Sequence, residues 1–330
     1  MYSSKRPGVP AEIREFLGRY KRYVVVAHED PDGDCIGSAL ALGHYLQRKG
    51  LSVSLHDAGP FDRPEIKQFE ALFAPEIKPH DLEPRGSVGV VVVDCSTVDR
   101  VGSLQESLTD VPLAVIDHHA LGTEFGEARY VDTSAPSTSF LVQRIIEDAG
   151  DQPDKLEARY LFFGLVTDTG FFRHLEKDSG DVFASAGRLV DTGVSPNKTY
   201  NEVNGGRSLD SRRLLGRLLQ RIEPYFDGKL LLSWMTPDDQ KDLVSKSKDS
   251  DTLYQVLLAT SGCQAVAFLR DDGEGKRLVS LRSTENINVG AIARAFGGGG
   301  HPRAAGFAVD IPLAELKQSL LDSFSSVFER

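Results

Sequence analysis

The chain has 330 residues, with 38 Lys and Arg against 48 Asp and Glu for a formal charge of -10; it therefore lacks the extended basic surface that a grip on long nucleic acid needs. Its three cysteines, Cys35, Cys95 and Cys263, are far apart and form no CxxC pair, which argues against a disulfide framework or a zinc knuckle and fits a reducing cytoplasm. No apolar run approaches the ~20 residues of a membrane span, the basic N-terminus has no signal-peptide core, and about two domains in a cytoplasmic protein are expected.

After a polar arm, Glu12 to Tyr20 has the spacing of an amphipathic helix, and Val24, Val25 and Val26 follow as the continuous apolar run of a strand buried on both faces. The run stops at His28, Asp32 and Asp34, Pro31 and Gly33 break the backbone, and Ile36 to Leu46 resumes at helical spacing. The three polar groups thus sit in a strand-to-helix turn, at the end of a strand where open α/β sheets bind ligands. Either a cation offsets the two carboxylates, or the turn is a solvated acidic cap of the next helix.

Leu51 to Leu55 reads as a second strand, and Asp57 to Pro84, rich in Pro, Phe and charge, as an irregular loop with short helices. Val88 to Val93 ends at Asp94, and Leu113 to Ile116 ends at Asp117, His118 and His119. Ser137 is an N-cap for a helix to Ala149, and Lys155 to Val166 is a helix that closes on Thr167, Asp168 and the breaker Gly170. Strands alternating with helices predict an α/β fold, a doubly wound, mostly parallel sheet.

Asp191 to Asp210, with Gly193, Pro196, three Asn and the pair Gly205 and Gly206, reads as the end of that domain. Ser211 to Ile222 is a basic connecting helix with Arg212, Arg213, Arg217 and Arg221 on its solvated side. Lys229 to Trp234 opens a second domain as a strand, and Thr236 and Pro237 supply an N-cap and a first-turn proline. Thr252 to Thr260 reads as a helix, Gln264 to Leu269 and Arg277 to Leu281 as strands paired across Asp271 to Gly275, and Asn288 to Phe296 as a helix. A glycine run, a strand at Gly306 to Val309 and a helix from Pro312 complete a smaller α+β module. The division expected is 1–195, a connector at 196–225, and 226–330.

His28, Asp32, Asp34, Asp94, Asp117, His118, His119 and Asp168 all end apolar runs and would share one sheet edge. Carboxylates with imidazole and no thiolate suit Mn²⁺ or Mg²⁺, and the count exceeds what one ion needs. Two cations sharing one carboxylate would use it, a site suited to phosphoester hydrolysis.

The order HEDPDGD, VVVDCS, DHH, TDTG and GGGGHPRAAGF resembles the DHH phosphoesterase superfamily in its DHH plus DHHA1 form. Within that superfamily it is most similar to the nanoRNase and pAp phosphatase group, the NrnA-type proteins, along the whole chain. The resemblance implies that His28 and Asp32 hold one metal, that Asp34, His118 and Asp168 hold the other, and that Asp94 bridges them. Asp117 would orient the adjacent histidines from outside the ligand set, and His119 would face the scissile phosphate as charge stabiliser or proton donor. Gly298, Gly299, Gly300 and His301, with Arg282, would form the phosphate and nucleobase pocket, the glycines allowing close backbone approach and Arg282 forking onto a phosphate. Arg173 would be a further substrate contact, and Arg303 could equally be a surface residue. Phe140, where an acidic residue is expected, and His174, where no ligand is expected, depart from the pattern.

By the same resemblance the cofactors are two divalent metal ions, Mn²⁺ first with Mg²⁺ or Co²⁺ as alternatives, in a site between the domains where a bridging hydroxide attacks phosphorus. The substrates are short RNA oligonucleotides (nanoRNA), cut to nucleoside monophosphates, and 3′-phosphoadenosine 5′-phosphate (pAp), cut to AMP. No long nucleic acid and no membrane is expected as partner, and a homodimer through the first domain is. A phosphodiesterase for cyclic di-AMP or a linear dinucleotide (pApA or pGpG) is the alternative within enzymes, and a nucleotide-binding regulatory module the alternative from another class. A family II pyrophosphatase is disfavoured by the GGGGH loop, and a RecJ-type exonuclease by length and charge.

Overall fold

Valine dominates the first sheet because its strands are covered on both faces, where β-branched side chains pack well. In the computed structural model, which describes residues 6–119, 125–241, 250–271, 275–284 and 287–328, the chain divides into two compact units, Met1–Gly206 and Arg207–Arg330. In the first, β1 (Arg22–Val26), β2 (Ser52–His56), β3 (Val88–Val93), β4 (Leu113–Asp117) and β5 (Ala128–Val131) form a parallel sheet in the order β2-β1-β3-β4-β5. Val25, Val91, Val93, Ala114 and Ile116 enter a core with α1 (Ala11–Arg19), α2 (Gly33–Arg48), α3 (Thr138–Asp148) and α4 (Lys155–Asp168). Val24, Val26, Val90, Val92 and Val115 face the other way, onto Ile77, Leu82 and the 3₁₀ segment Val98–Leu108. The α-helices therefore crowd one face, and short 3₁₀ turns and loops cover the other.

The parallel register sets the site. Val26 lies beside both His56 and Val92, and Val93 lies beside Ile116, so the residues that leave these strands emerge at one edge. Glycine brings the helices together behind that edge. A Cβ on Gly37 of α2 would fall 2.6 Å from the Tyr160 carbonyl of α4. At their far end Arg48 closes bidentately on the fully buried Glu157, at 2.8 and 2.9 Å, as a buried carboxylate requires.

Several elements differ from the sequence reading. α5 (Gly180–Asp191) was not foreseen, nor was α6 (Pro196–Asn204), which replaces the irregular domain end. Ser195 caps α6, accepting from Lys198 N at 3.3 Å, and Pro196 takes the first position, where its missing N–H costs nothing. α6 belongs to the first unit, and α7 (Leu209–Gln220) opens the second.

The second unit is a mixed six-stranded sheet, β6 (Glu223–Tyr225), β7 (Leu230–Trp234), β8 (Ala265–Asp271), β9 (Arg277–Ser283), β10 (Gly299–His301) and β11 (Ala304–Val309), in the order β10-β11-β9-β8-β7-β6. Only β7 and β8 pair in parallel. α10 (Val289–Ala295) and α11 (Leu313–Phe328) fill one face, with Leu281, Phe307, Ile292 and Leu320 in that core. Leu218 of α7 and Leu253, Tyr254 and Leu257 of α9 (Ser250–Leu258) meet Val266 and Phe268 on the other. Residues 272–274 of the expected turn lie outside the described residues.

Two arginines expected on the solvated side of α7 are engaged instead. Arg217 Nη1 lies 3.4 Å and Arg221 Nη2 3.2 Å from Oδ1 of the buried Asp239, in the first turn of α8 (Pro237–Lys241). Thr236, the expected cap, donates N–H and hydroxyl to Asp239 Oδ2 at 2.9 and 2.7 Å. Although burial opposes ionisation, hydrogen bonds from Arg221 and Thr236 hold this carboxyl far below the usual carboxylate range. The helix charge is thus structural at two of its four arginines.

Candidate metal centre

Each donor of the sheet edge is fixed by its own local structure. Asp32 caps α2, its Oδ1 accepting from Asp34 N and Cys35 N, both at 3.0 Å. Asp34 follows two residues later, in the first turn of α2, and is buried, its Oδ2 receiving Thr138 N at 2.6 Å and its Oδ1 Ser139 N at 2.9 Å. Those amides belong to the first turn of α3, so the helix N-terminus offers its unsatisfied N–H groups to a carboxylate. Asp94 leaves β3 in the left-handed region (φ 58°), a strained conformation that Asp tolerates better than most residues. Its Oδ1 accepts from Thr138 Oγ1 at 2.8 Å.

The imidazoles complete the cluster. His118 Nε2 lies 3.5 Å from Asp168 Oδ2, 3.6 Å from Asp94 Oδ1 and 4.0 Å from Asp34 Oδ2. His28 Nε2 lies 3.7 Å from Asp94 Oδ2, with its Nδ1 2.8 Å from the Glu29 carbonyl. Separations of 3.5–4.0 Å are too long for direct hydrogen bonds. They are close to what two ligands of one ion need, since ~2.1 Å bonds at right angles set neighbouring donors ~3 Å apart. Donor atoms of Asp34, His118 and Asp168 all lie within 4.8 Å of one another, as do those of Asp94, His118 and His119, and those of His28, Cys35 and Asp94. Burial pushes the Cys35 thiol well up, and His28 N donates to it at 3.3 Å, so the sulfur is a neutral packing group. Asp32 belongs to none of these groups, its Oδ2 lying instead 4.0 Å from Arg63 Nη1.

The electrostatics fit a cation. Burial, reinforced by the charges of Asp94 and Asp168, raises the Asp34 carboxyl well above its ordinary range. Burial also raises Asp168, to about 6, against the attraction of His118 and with the help of Asp94 and Asp32. For Asp94 burial is overcome by the neighbouring imidazoles of His28 and His118, which hold it at about 2. Buried carboxylates that repel one another in this way are relieved by a divalent ion. The acidic and histidine groups present could therefore bind metal.

A pH dependence follows, and its sign is fixed. Asp34 and Asp168 have raised folded-state values, so their protonated forms stabilise the metal-free fold, and that stability is lost as pH rises, for Asp168 from about 4 through about 6. A cation competes with those protons and is favoured by rising pH. The rise in melting temperature on adding Mn²⁺ is expected to be small at pH 5 and several degrees larger at pH 7.5, as read by thermal denaturation. A shift that is the same at both values would show that these carboxylates are not ligands.

Asp117 and His119 form a separate pair. Asp117 Oδ1 accepts from His119 Nδ1 at 2.7 Å and from the backbone N–H of His118 and His119 at 2.8 and 3.2 Å. That hydrogen bond raises His119 to about 9, and the ring is half-exposed. Asp117 orients His119, whereas the His118 ring is positioned by the Ala135 carbonyl, 3.3 Å from its Nδ1. Thr138 and Ser139, which fix Asp94 and Asp34, escaped the sequence reading. The signal available was the Ser137 cap, which places the next two amides at a helix start. Phe140, which departs from the family pattern, is buried with the Arg6 and Arg144 guanidiniums 5.6 and 5.8 Å from its ring centre. Arg173 is exposed after the left-handed Phe171 and Phe172, its Nε donating to Gly170 O at 2.8 Å.

In the second unit the register sets Val266, Arg282, Ala304 and His301 side by side on one sheet face. The Arg282 guanidinium lies 4.6 Å from the Tyr254 ring centre and donates to Leu281 O at 3.0 Å. Gly298 and Gly300 are required by the hairpin itself. A Cβ on Gly298 would fall 2.8 Å from Phe307 Cα, and one on Gly300 2.6 Å from the Ala304 carbonyl. Gly299 alone of the three has open space where a Cβ would be.

Residues 22–165 match the DHH family, N-terminal domain, and residues 229–330 match the DHHA1 domain. The chain is 30% identical over 282 residues to the bifunctional oligoribonuclease and PAP phosphatase NrnA of Thermus thermophilus, covering 86% of this chain and 82% of that one. It is 27% identical over 344 residues to the cyclic-di-AMP phosphodiesterase GdpP of Geobacillus thermodenitrificans, covering 96% of this chain but 49% of that relative, about half its length. In fold it matches the crystal structure of an exopolyphosphatase-related protein from Bacteroides fragilis, with a TM-score of 0.85, 23% identity and 96% of each chain covered. Among the described residues no helix is long and apolar enough to cross a membrane.

Proposed function

The chain belongs to the DHH family and is a phosphoesterase, and from that premise we propose that it hydrolyses short oligoribonucleotides to nucleoside monophosphates and pAp to AMP. The observation that carries this reading is the convergence of Asp34, Asp94, His118 and Asp168 on one sheet edge, at separations that suit shared cations better than hydrogen bonds. His28 and Asp32 would hold one divalent ion, Asp34, His118 and Asp168 a second, and Asp94 both, with Mn²⁺ the first choice for carboxylate and imidazole donors. When bound, such ions supply positive charge to phosphate oxygens and make water more acidic.

The chain's own residues do the rest. Thr138 fixes one oxygen of Asp94, leaving the other lone pairs to face the cluster. Asp117 Oδ1 accepts a hydrogen bond from His119 Nδ1, so Nε2 is the ring atom left to hold a transferable proton. His119 is therefore the donor to the leaving oxygen. The first unit, Met1–Gly206, would be the catalytic part and the second, Arg207–Arg330, the substrate-binding part. There Arg282, His301 and the open side of Gly299 would receive phosphate and base; in the first unit Arg173 would be a further substrate contact. The net charge of -10 favours short substrates over long ones.

The test is a time course with Mn²⁺ on pAp, a ribodinucleotide, a long RNA and cyclic di-AMP in parallel. Rapid release of AMP and nucleoside monophosphates from the first two, with long RNA resistant, is expected. Preference for cyclic di-AMP would move the enzyme to dinucleotide turnover. Tight nucleotide binding without turnover of any substrate would make it a regulatory binding module.

A further inference from the structure

The loops at the active sheet edge carry two arginines that the proposed chemistry leaves unused. Arg63 follows β2 and Arg100 follows β3, and both loops are knit to the turn after β1 by backbone bonds: Ala27 N to His56 O at 2.9 Å, Asp30 N to Gly59 O at 3.0 Å and Glu29 N to Arg100 O at 2.8 Å. Arg63 stands between buried Phe61 and Ile66, and Arg100 beside buried Val101. Their backbones are anchored while the side chains face solvent, the arrangement of a group held ready for a ligand.

Neither guanidinium is committed at the cluster. Arg63 Nη1 is 4.0 Å from Asp32 Oδ2, beyond hydrogen-bond reach. Arg100 Nη2 is 3.4 Å from His28 Nδ1. That nitrogen also lies 2.8 Å from the Glu29 carbonyl. If it donates there, Nε2 keeps its lone pair towards the cluster, and Nδ1 has none for Arg100. Among the described residues no carboxylate is hydrogen-bonded to either arginine. The four carboxylates of Asp32, Asp34, Asp94 and Asp168 balance two divalent cations, and the two guanidiniums then add two positive charges on the outer side of His28 and Asp32.

We propose that Arg63 and Arg100 clamp a second, non-reacting phosphate of the substrate, so that the enzyme selects substrates carrying a phosphate besides the one it cleaves. The inference rests on the phosphoesterase reading and deepens it. The reacting phosphate belongs on the cations, on the Nε2 side of His28. Arg100 lies at the opposite, Nδ1 edge of that ring, and Arg63 beyond the outer oxygen of Asp32. A planar guanidinium forks onto phosphate oxygens, and two of them match a doubly charged anion.

The experiment compares kcat/KM on pAp and on adenosine 3′-phosphate, which has the same scissile bond but no second phosphate, for the wild type, Arg63→Gln, Arg100→Gln and the double variant. The wild type is expected to favour the bisphosphate about a hundredfold. Each single substitution should cut turnover of the bisphosphate by about 10-fold through KM, within what a hydrogen bond to a charged group is worth. The double variant should lose the preference, with the monophosphate rate nearly unchanged. Mn²⁺ affinity by calorimetry and the melting temperature should not move, because neither arginine is a ligand or buried. A wild type without preference, or a preference that survives in the double variant, would overturn the assignment. A wild type inactive on both would instead sink the pAp phosphatase reading on which the inference rests.

Discussion

Asp94→Asn is expected to lower kcat/KM by about a thousandfold or more, an activation penalty of roughly 4 kcal/mol, while the protein stays folded. Asp94 touches more of the cluster than any other carboxylate, lying within 3.7 Å of His28, His118 and His119. Losing its charge removes a donor from two convergent groups at once. Asn accepts the left-handed backbone at this position and can still receive the Thr138 hydroxyl, so the substitution isolates the charge. Ala would add roughly 1 kcal/mol of backbone strain. The measurement is steady-state turnover of pAp beside the Mn²⁺-induced shift in melting temperature, and both should be lost together. A variant that keeps activity within tenfold would remove Asp94 from the centre of the site.

Gly164→Ala should damage both stability and metal binding through packing alone. The added methyl would overlap the Ser139 hydroxyl and come 2.9 Å from Asp34 Oδ1, where α4 crosses α2 and α3. Overpacking a dense interior costs about 1–3 kcal/mol, and the upper end applies because Ser139 N holds Asp34 at 2.9 Å. A fall of several degrees in melting temperature with at least tenfold weaker Mn²⁺ binding is expected. The control is Gly187→Ala in α5, where a Cβ meets nothing within 4 Å. There the helix gains about 0.5–1 kcal/mol, and metal binding is untouched. If the two variants behave alike, the packing argument is wrong.

The parts of this molecule that could be read from the sequence are those where a residue's neighbours along the chain decide its environment. Val88 to Val93 is apolar throughout because both faces are buried, and the polarity of Asp94 marks where the strand leaves the sheet. The same contrast made His28, Asp117 and His118 visible. β5 escaped because its four residues, Ala-Arg-Tyr-Val, alternate in burial and hold no apolar run. β10 escaped because a strand of two glycines and a histidine exists only through pairing with β11. α6 was hidden by Asn-rich composition, although Ser195 and Pro196 are a legitimate start signal. Thr138, Ser139, Arg63 and Arg100 matter only through residues far away in sequence, and no local pattern distinguishes them from ordinary caps and surface charge.

The way Asp34 is held has a consequence for how the enzyme depends on its surroundings. Phosphate-handling proteins often seat the anion directly on the bare amides of a helix start. In α3 that seat is taken, since Thr138 N and Ser139 N point at the chain's own carboxylate. The fold has filled its anion hole from within and turned a helix that could have welcomed phosphate into a buttress for a negative charge. Beyond His119, positive charge at the reacting centre would then be imported as free ions, so turnover should track the supply of metal closely.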